Sequence, residues 1–412
     1  MTPKPPTVFF DNERVDRAEI VAGQRVACLE RIKERAGEEV LLLQDSTSFD
    51  FSHHPETTGL GPLDNAHMSG FWTHNTLAVS PEGVPLGIWD QQVWVRDAQA
   101  SGKRHQRHER PFEEKESYKW VQGLPDLKAA TGVTQVVTIC DREAHIYEFF
   151  EAVRMAEAHF LVRASQGRSF TEDGVTVFAE VAAWPVQDTY TLALKRRPSR
   201  PARDAQVELR FGMLTLRRPN RADTARESLT VHVVEVLEPD PPPDQEAVHW
   251  LLITSLPVTL LAQAQQMVEW YTYRWLIERF HYVLKSGCKL EDRQLRTQAR
   301  LERLLAVFNL VAWRLLWLTY QARQTPEASC LVALTEEEAW VLYAHHHHTT
   351  RLPDPFPSLH EATRWIAQLG GFLGRKGDGE PGVKVLWRGW MRLQDKLDTW
   401  RLFHPPRDVG NA

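Results

Sequence analysis

Cysteine is scarce in this chain, and its four cysteines lie far apart without forming a CxxC pair: Cys28, Cys140, Cys288 and Cys330. This spacing indicates neither a disulfide framework nor a zinc site, and it fits a reducing compartment. Long apolar runs are also lacking, since no stretch reaches the roughly 18 residues of a membrane-spanning helix. The first residues, MTPKPPTVFF, lack the apolar core of a signal peptide. We therefore expect a cytoplasmic protein that does not enter membranes.

An excess of positive charge is lacking as well, because the formal net charge is -5. The chain as a whole is therefore not a basic coat for nucleic acid, and any DNA contact must depend on local patches. One such patch lies between residues 195 and 226, where ten basic residues outnumber three acidic ones. The ten are Lys195, Arg196, Arg197, Arg200, Arg203, Arg210, Arg217, Arg218, Arg221 and Arg226. We interpret the stretch either as a local DNA footprint or as a solvated basic loop.

The chain has 412 residues, of which 42% are hydrophobic, so more than one domain is expected. Four short apolar runs predict buried strands: VLLLQD (40–45), QVVTICD (135–141), HFLVRAS (159–165) and WLLITS (250–255). Residues 73–95 predict a hairpin with its turn at Pro81-Glu82-Gly83, and residues 166–249 predict an inserted antiparallel β unit. Long helices are predicted over 259–285 and 298–323. The pattern is typical of a mixed α/β core with a helical C-terminal part.

Two acidic residues, Asp45 and Asp141, directly follow short apolar runs, where the edge of a sheet would fix their carboxylates in place. A third candidate, Glu278, shares one face of the predicted helix 259–285 with three other polar residues: Tyr271, Arg274 and Lys285. Taken singly, acids at strand ends are most often turn or cap residues, and such a helix face is most often solvated. Together, the three acids predict a magnesium site flanked by groups that grip phosphate.

The same helix carries the most specific likeness in the chain. Its segment YTYRWLIERFHYVLK (271–285) has the spacing Tyr-x(2)-Arg-x(3)-Glu-x(6)-Lys and resembles the signature of the insertion-sequence-four family of bacterial transposases. QDSTSFDFS (44–52) and CDREAHIYEF (140–149) resemble the blocks that hold the two aspartates of that family. Three further segments resemble the branch that contains the transposon-five transposase: KESYKW (115–120), WLLITSLPV (250–258) and LGGFLGRKGDG (369–379).

The resemblance implies an α/β fold, with an RNase H-like catalytic core interrupted by an antiparallel β insertion and followed by a helical C-terminal region. It divides the chain into a helical lead-in (1–37), two parts of the core (38–165 and 250–325), the β-strand insertion (166–249) and a dimerisation region (326–412). It also implies binding to double-stranded DNA, both transposon ends and target, by a homodimer. A bacterial protein of this kind is expected at the nucleoid when it is bound to DNA.

The family cuts its element free at both ends and joins it to target DNA. Water first releases a 3′ hydroxyl, the hydroxyl attacks the opposite strand to form a hairpin, and the hairpin is reopened before strand transfer. The resemblance implies that Asp45, Asp141 and Glu278 bind two Mg²⁺ ions, for which Mn²⁺ can substitute. It implies DNA contacts for six further residues: Tyr271, Arg274, Lys285, Trp250, Trp275 and Arg163.

The two tryptophans have a specific role in that scheme. Trp250 matches a residue that stacks on a base flipped out of the duplex, and Trp275 matches one that fills the vacated place. Aromatic stacking offsets part of the cost of such a flip. From the residues alone, Trp250 is more simply interpreted as a core residue on a strand.

The chain departs from the family at its beginning, because family members carry a further N-terminal segment with the helices that recognise the terminal repeats. We therefore expect sequence-specific end binding, and with it activity, to be impaired. Two interpretations stay open: a DDE transposase, or a truncated, non-catalytic protein that dimerises with a full-length transposase and inhibits it. A general nuclease with an RNase H fold is a third and weaker interpretation.

Two features of the C-terminal part have no assigned function. The run His345 to His348 is interpreted as a polar loop. A single apolar stripe is formed by Trp390, Leu393, Leu397 and Trp400 at helical spacing. It belongs either to the core of one chain or to a dimer contact.

Overall fold

The computed structural model describes residues 7–35, 39–65, 67–97, 111–124, 135–167, 170–194, 202–217, 228–351 and 353–404. The chain divides into two compact units. We call the first the sheet unit, which comprises Gly23–Thr47 and Trp72–Glu278. The second, the helical unit, comprises Met1–Ala22, Ser48–Phe71 and Arg279–Ala412.

The strands of the described residues are numbered along the chain. They are β1 (Glu39–Asp50), β2 (Gly61–Pro62), β3 (Ser69–Val79), β4 (Pro85–Trp94), β5 (Gln135–Cys140), β6 (His159–Arg163), β7 (Asp188–Leu194), β8 (Arg203–Leu216), β9 (Leu229–Leu237) and β10 (His249–Thr254). All four apolar runs that predicted strands are confirmed. The predicted hairpin is also confirmed, with β3 and β4 paired antiparallel around the turn at Pro81-Glu82-Gly83.

The α-helices of the same residues are numbered likewise. They are α1 (Thr7–Asp11), α2 (Arg17–Arg35), α3 (Lys119–Gln122), α4 (Tyr147–Met155), α5 (Val177–Ala182), α6 (Leu261–Tyr273), α7 (Trp275–Tyr282), α8 (Gln298–Gln324), α9 (Glu336–His347), α10 (Leu359–Leu369) and α11 (Val383–Phe403). In the described part of the chain, no helix is both long enough and apolar enough to cross a membrane.

The centre of the sheet unit consists of three parallel strands, β1, β5 and β6. Leu43 of β1 lies opposite Ile139 of β5, and Ile139 in turn lies opposite Leu161 of β6. From Val40 to Leu43 every residue of β1 is buried. Continuous burial of this kind is usual for parallel strands that are covered on both faces. On one face, Ile32 of α2 belongs to the same apolar cluster as Leu42.

The predicted β insertion is confirmed, and it continues the central sheet. β7, β8 and β9 pair antiparallel in succession. β10 joins them to the core, because it pairs antiparallel with β6 on one side and with β9 on the other. The strand order is therefore β2-β3-β1-β5-β6-β10-β9-β8-β7, and β4 lies off this path, paired with β3. The mixed α/β fold with an antiparallel insertion and a helical C-terminal region agrees with the sequence prediction.

Half of the predicted basic stretch between residues 195 and 226 lies outside the described residues, including seven of its ten basic residues. Three of its arginines are described, and the guanidinium groups of two of them, Arg203 and Arg210, are engaged within the insertion. Arg203 forms a bidentate ion pair with the buried Glu238 at 2.5 and 2.7 Å. Arg210 pairs with Glu208 at 2.9 Å and with Glu235 at 3.2 Å. These two guanidinium groups therefore stabilise the β8–β9 region, and they are weaker candidates for DNA contact than the sequence suggested.

The prediction of one continuous helix over 259–285 is wrong. α6 ends at Tyr273, and the N–H of Arg274 bonds to the carbonyl of Tyr271, which is the tighter i−3 pattern. α7 then ends at Tyr282 and is followed by a π-helical turn over Val283–Gly287. The uniform rotation of 100° per residue therefore fails at both points, so the four polar residues do not form a single straight stripe.

Two predictions about the C-terminal part are also resolved. His345 to His347 form the last turn of α9, and His348 caps that helix in a left-handed conformation with φ 52°, so the polar-loop interpretation is wrong. Of the apolar stripe on α11, Leu393 and Leu397 are buried within the helical unit. The stripe therefore belongs mainly to the core of one chain.

Candidate active site

Asp45 and Asp141 are brought together by the pairing of two parallel strands. β1 and β5 are in register with Leu43 opposite Ile139. Continuing that register by two residues places Asp45 opposite Asp141, about one strand spacing of roughly 4.8 Å away. Because side chains alternate along a strand, both carboxylates emerge on the same face. The register therefore accounts for the proximity of the two aspartates.

The local setting of Asp45 differs from the sequence prediction. Asp45 does not follow its strand but lies in the middle of β1, which continues to Asp50. The strand continues because Phe49 is again fully buried, so the chain keeps its extended alternation beyond the acid. The Asp45 side chain is 18% exposed. Strand backbone continues on both sides of this residue and fixes the position of its carboxylate.

Asp141 follows β5, as predicted. Its carboxylate also caps the 3₁₀ turn Arg142–Ala144 by accepting a hydrogen bond from the backbone N–H of Glu143 at 2.8 Å. One oxygen is thus engaged locally, and the group as a whole is fixed in direction. The capping interpretation and the catalytic interpretation of this acid are therefore compatible.

Glu278 lies on α7 and is connected to Asp45 by Arg274. The Arg274 guanidinium donates a hydrogen bond to Oε1 of Glu278. Its other terminal nitrogen lies 3.8 Å from Oδ2 of Asp45. The guanidinium is only 15% exposed, so it places a largely desolvated positive charge between the two acids.

The electrostatics of Asp45 show how closely the charged groups are coupled. The pKa of Asp45 is raised to about 7; burial is the main cause, the charge of Arg274 opposes it, and the charges of Asp141 and Glu278 add to the increase. With this pKa, both the protonated and the ionised form of the Asp45 carboxyl group are populated near neutral pH. Positive charge arriving beside Asp45 would therefore release a proton.

The donor set has the chemistry that a hard divalent cation requires, since all three candidate ligands are carboxylates. Within the residues that the structure describes, no three such groups are already gathered at metal-binding distance. Arg274 instead lies beside Asp45 and Glu278 and neutralises part of their charge. The three carboxylates are of the type that binds Mg²⁺. In this structure the positive charge of Arg274 offsets part of the negative charge of Asp45 and Glu278.

An aromatic and basic wall stands beside these acids in the sheet unit. The ring of Trp250 on β10 packs edge-to-face on Tyr271, with centroids 5.3 Å apart. Tyr271 is 6% exposed and is hydrogen-bonded to Arg163, and burial raises its pKa. Arg163 also donates to the carbonyl of His249 at 2.9 Å. Trp275, the first residue of α7, is half-buried.

Lys285 belongs to the helical unit and lies in the π-helical turn that follows α7. Its ammonium group is 5.6 Å from the centre of the Phe49 ring, a residue of the same unit. The side chain is half-buried. This contact is a cation–π interaction between the ammonium group and the aromatic ring, and it restrains the Lys285 side chain.

Sequence reasoning missed a buried histidine behind Asp45. His74 on β3 is 1% exposed and contacts both neighbours of Asp45 along β1. Its Nε2 lies 2.9 Å from Oε1 of Gln44, and its Nδ1 lies 2.9 Å from Oγ of Ser46. Since Gln44 and Ser46 point away from the face that carries Asp45, His74 clamps the strand from behind. Four consecutive polar residues in the β3 segment THNT (73–76) were the local signal.

The raised pKa of Asp45 predicts an unusual dependence of stability on pH. Below about pH 4 the carboxyl is protonated in both the folded and unfolded chains. Between about pH 4 and 7 the folded chain keeps its proton while the unfolded chain loses it, so stability falls as pH rises. Asp45→Asn removes this loss, and we expect the variant to gain stability over the wild type from pH 5 to pH 8.

Urea unfolding in EDTA buffer at pH 5 and pH 8 measures the effect. Asp398→Asn is the control, because it removes the same charge from an exposed position on α11. A stability difference between Asp45→Asn and the wild type that is the same at both pH values would contradict the raised pKa.

Comparison with protein-family models matches two consecutive parts of the chain. Residues 119–313 match the transposase DDE domain, and residues 310–401 match the transposase Tn5 dimerisation domain. The first match contains Asp141 and Glu278, and it implies the RNase H-like core that was predicted. DDE domains depend on a divalent metal, typically Mg²⁺.

Among solved structures, the chain is similar to a piggyBac transposase in a synaptic complex with hairpin DNA. The TM-score is 0.36 and the sequence identity is 9%. The likeness covers 96% of this chain and 63% of that one, so this chain spans less than two thirds of its length.

Proposed function

We propose that this chain, which matches the transposase DDE domain and the transposase Tn5 dimerisation domain, is a DDE transposase that cuts and joins DNA at the ends of an insertion element of the insertion-sequence-four family. The observation that carries the proposal is the arrangement of its acids. Asp45 on β1 and Asp141 directly after the paired strand β5 are electrostatically coupled, and Arg274 contacts both Asp45 and Glu278. Such convergence of carboxylates with an arginine suits phosphoryl transfer.

In this proposal, Asp45, Asp141 and Glu278 hold two Mg²⁺ or Mn²⁺ ions. Such ions, when bound, activate a water molecule and stabilise the departing 3′ oxygen. The protein's part is to position them: β1 and β5 set the spacing of the two aspartates, and His74 braces the strand that carries Asp45. Arg274 exchanges its contacts with the acids for a phosphate of the DNA, because phosphate offers the same bidentate geometry as carboxylate.

The wall beside the acids serves hairpin formation. Trp250 and Tyr271 offer a packed aromatic surface on which a base flipped from the duplex stacks. Trp275 fills the gap left in the duplex, and Arg163 and Lys285 contact the backbone phosphates. The sequence of steps is hydrolysis to a 3′ hydroxyl, attack of that hydroxyl on the opposite strand, reopening of the hairpin, and transfer to target DNA.

We propose that the chain acts as a homodimer on double-stranded DNA, through the region that matches the Tn5 dimerisation domain. Transposon ends must be held in pairs before they are joined to one target. A dimer supplies one catalytic site for each end. The five-part division of the chain, with the dimerisation region at 326–412, remains a prediction within this proposal.

The test uses the full chain, duplex oligonucleotides with exposed 3′ hydroxyl ends, and a supercoiled plasmid as target. In Mg²⁺ or Mn²⁺ we expect plasmid joined to the labelled duplex, and in EDTA we expect no product. A chain that pairs with a full-length homologue but gives no metal-dependent joining would support the inhibitor instead. Random nicking without joining would indicate a general nuclease.

A further inference from the structure

The C-terminal helices border an open surface pocket that the catalytic proposal does not use. It has a volume of about 420 Å³ and lies among α9, α10 and α11 of the helical unit. We call it the histidine pocket and define it by six of its lining residues: His345, His346, His348, Trp365, Arg392 and Lys396. The four-histidine run has no other assigned role in the fold.

The histidine pocket is cationic on every charged side. Arg392 and Lys396 line it from α11, three histidines line it from the end of α9, and none of its lining residues is acidic. Burial lowers the pKa of His345, with smaller contributions from Lys396 and His348. Burial also lowers the pKa of His346, with smaller contributions from the other three histidines. These two rings are therefore neutral near pH 7, and the permanent positive charge of the pocket comes from Arg392 and Lys396.

Acids on the surrounding helices are engaged elsewhere. Glu361 of α10 accepts hydrogen bonds from the backbone and hydroxyl of Ser358, each at 2.9 Å, at the start of that helix. Glu338 of α9 accepts from Gln394 at 2.8 Å and lies 3.5 Å from Arg314. Neither lines the pocket. An anion from outside is therefore the natural counter-charge.

The groups are also fixed well enough to form a site. Arg392 donates to the carbonyl of Leu369, which anchors its guanidinium at the rim. The ring of His346 stacks on Trp365 with centroids 4.5 Å apart and planes 21° apart. Gln368 adds an amide donor to the lining. Arginine, lysine, imidazole and amide donors around one cavity are the set that binds phosphate oxygens.

No metal is needed to explain the cluster. Within the described residues, no three histidine, cysteine or acidic side chains could hold a metal ion together. The cationic partners Arg392 and Lys396 would moreover repel a cation.

We propose that the histidine pocket is a binding site for a phosphate group, carried either by a nucleotide or by the backbone of DNA. The two sources share one chemistry, and the pocket lies outside the acids that we assign to catalysis. A phosphate seated there would be neutralised by Arg392 and Lys396 and would accept hydrogen bonds from the histidines.

Isothermal titration of the full chain with inorganic phosphate, with ATP and with a blunt DNA duplex tests the proposal. EDTA buffer prevents cleavage and metal-bridged binding, so the result is independent of catalytic activity. Lys396→Gln is expected to weaken binding of the phosphate-bearing probe about tenfold, as loss of one charge-assisted contact does. The exposed Lys376→Gln, which removes the same charge outside the pocket, is expected to leave binding unchanged.

A second matched pair, Arg392→Gln and the exposed Arg375→Gln, covers the case in which Lys396→Gln fails to fold. Binding of DNA that is weakened in the pocket variants, without binding of ATP or inorganic phosphate, would assign the pocket to the DNA backbone. Binding of ATP or phosphate that is lost in the pocket variants would assign it to a small ligand. If no probe binds, or if pocket and control variants weaken binding equally, the proposal is overturned.

Discussion

Replacing Asp141 with asparagine is expected to abolish metal-dependent DNA joining, with a loss of about a thousandfold or more. The substitution removes the negative charge that a bound cation requires, and metal-assisted stabilisation of a transition state amounts to several kcal/mol. The asparagine side chain keeps an oxygen that can accept from the N–H of Glu143, so the cap on the following turn is retained. The fold should therefore survive while the chemistry is lost.

Single-turnover joining of a labelled duplex to plasmid in Mg²⁺ measures the effect, and urea unfolding checks the fold. Glu143→Gln is the matched control, because this neighbouring acid is 65% exposed and its ion pair with Lys119 spans 3.3 Å. We expect the control to retain most of the activity. Joining by Asp141→Asn at a rate near that of the wild type would remove Asp141 from the catalytic assignment.

Much of the candidate site was predictable, because its positions depend on local patterns. A short apolar run ending in an acid was enough to place Asp141 after β5. The same pattern brought Asp45 to the neighbouring strand, although β1 runs on past it to Asp50. An apolar run shows which part of a strand is buried. It does not show where the strand ends, because polar residues beyond the run can continue the extended backbone and its pairing.

The contacts that tune the site were not predictable. His74 lies 28 residues beyond Ser46 in sequence, and only the pairing of β1 with β3 brings it behind Asp45. The break at Arg274 depends likewise on the contacts of its side chain with two acids. A hydrophobic pattern specifies which face of an element is buried, and it does not specify which polar groups meet across that burial.

The same limit applies to the C-terminal helices. Spacing alone predicted one apolar stripe on α11 and could not decide between a core and a dimer contact. Burial of Leu393 and Leu397 within one chain decides for the core. The histidine run was misinterpreted because histidine is a weak helix former, while the strong capping box between Thr335 and Glu338 begins the helix ten residues earlier.

Gly389→Ala is expected to destabilise the helical unit by about 3 kcal/mol or more. Gly389 lies in the middle of α11, where α10 passes so closely that a Cβ would lie 1.7 Å from the carbonyl oxygen of Ile366. Gly370, at the end of α10, has the reciprocal constraint, with a Cβ 1.8 Å from the carbonyl oxygen of Val385. Backbone atoms cannot rotate aside as a flexible side chain can, so the two helices must separate and open their shared core.

The sign of this effect distinguishes packing from helix propensity. Alanine favours a helix over glycine by about 1 kcal/mol, so propensity alone predicts that Gly389→Ala would be stabilising. Gly23→Ala is the control, because Gly23 is exposed within α2 and a Cβ there would meet nothing within 4 Å. Thermal and urea unfolding should show a gain for Gly23→Ala and a large loss for Gly389→Ala. Gains in both variants would mean that α10 and α11 are not in backbone contact. Because the contact lies within the region matched to the Tn5 dimerisation domain, the same loss should also reduce dimer formation if that region mediates the dimer.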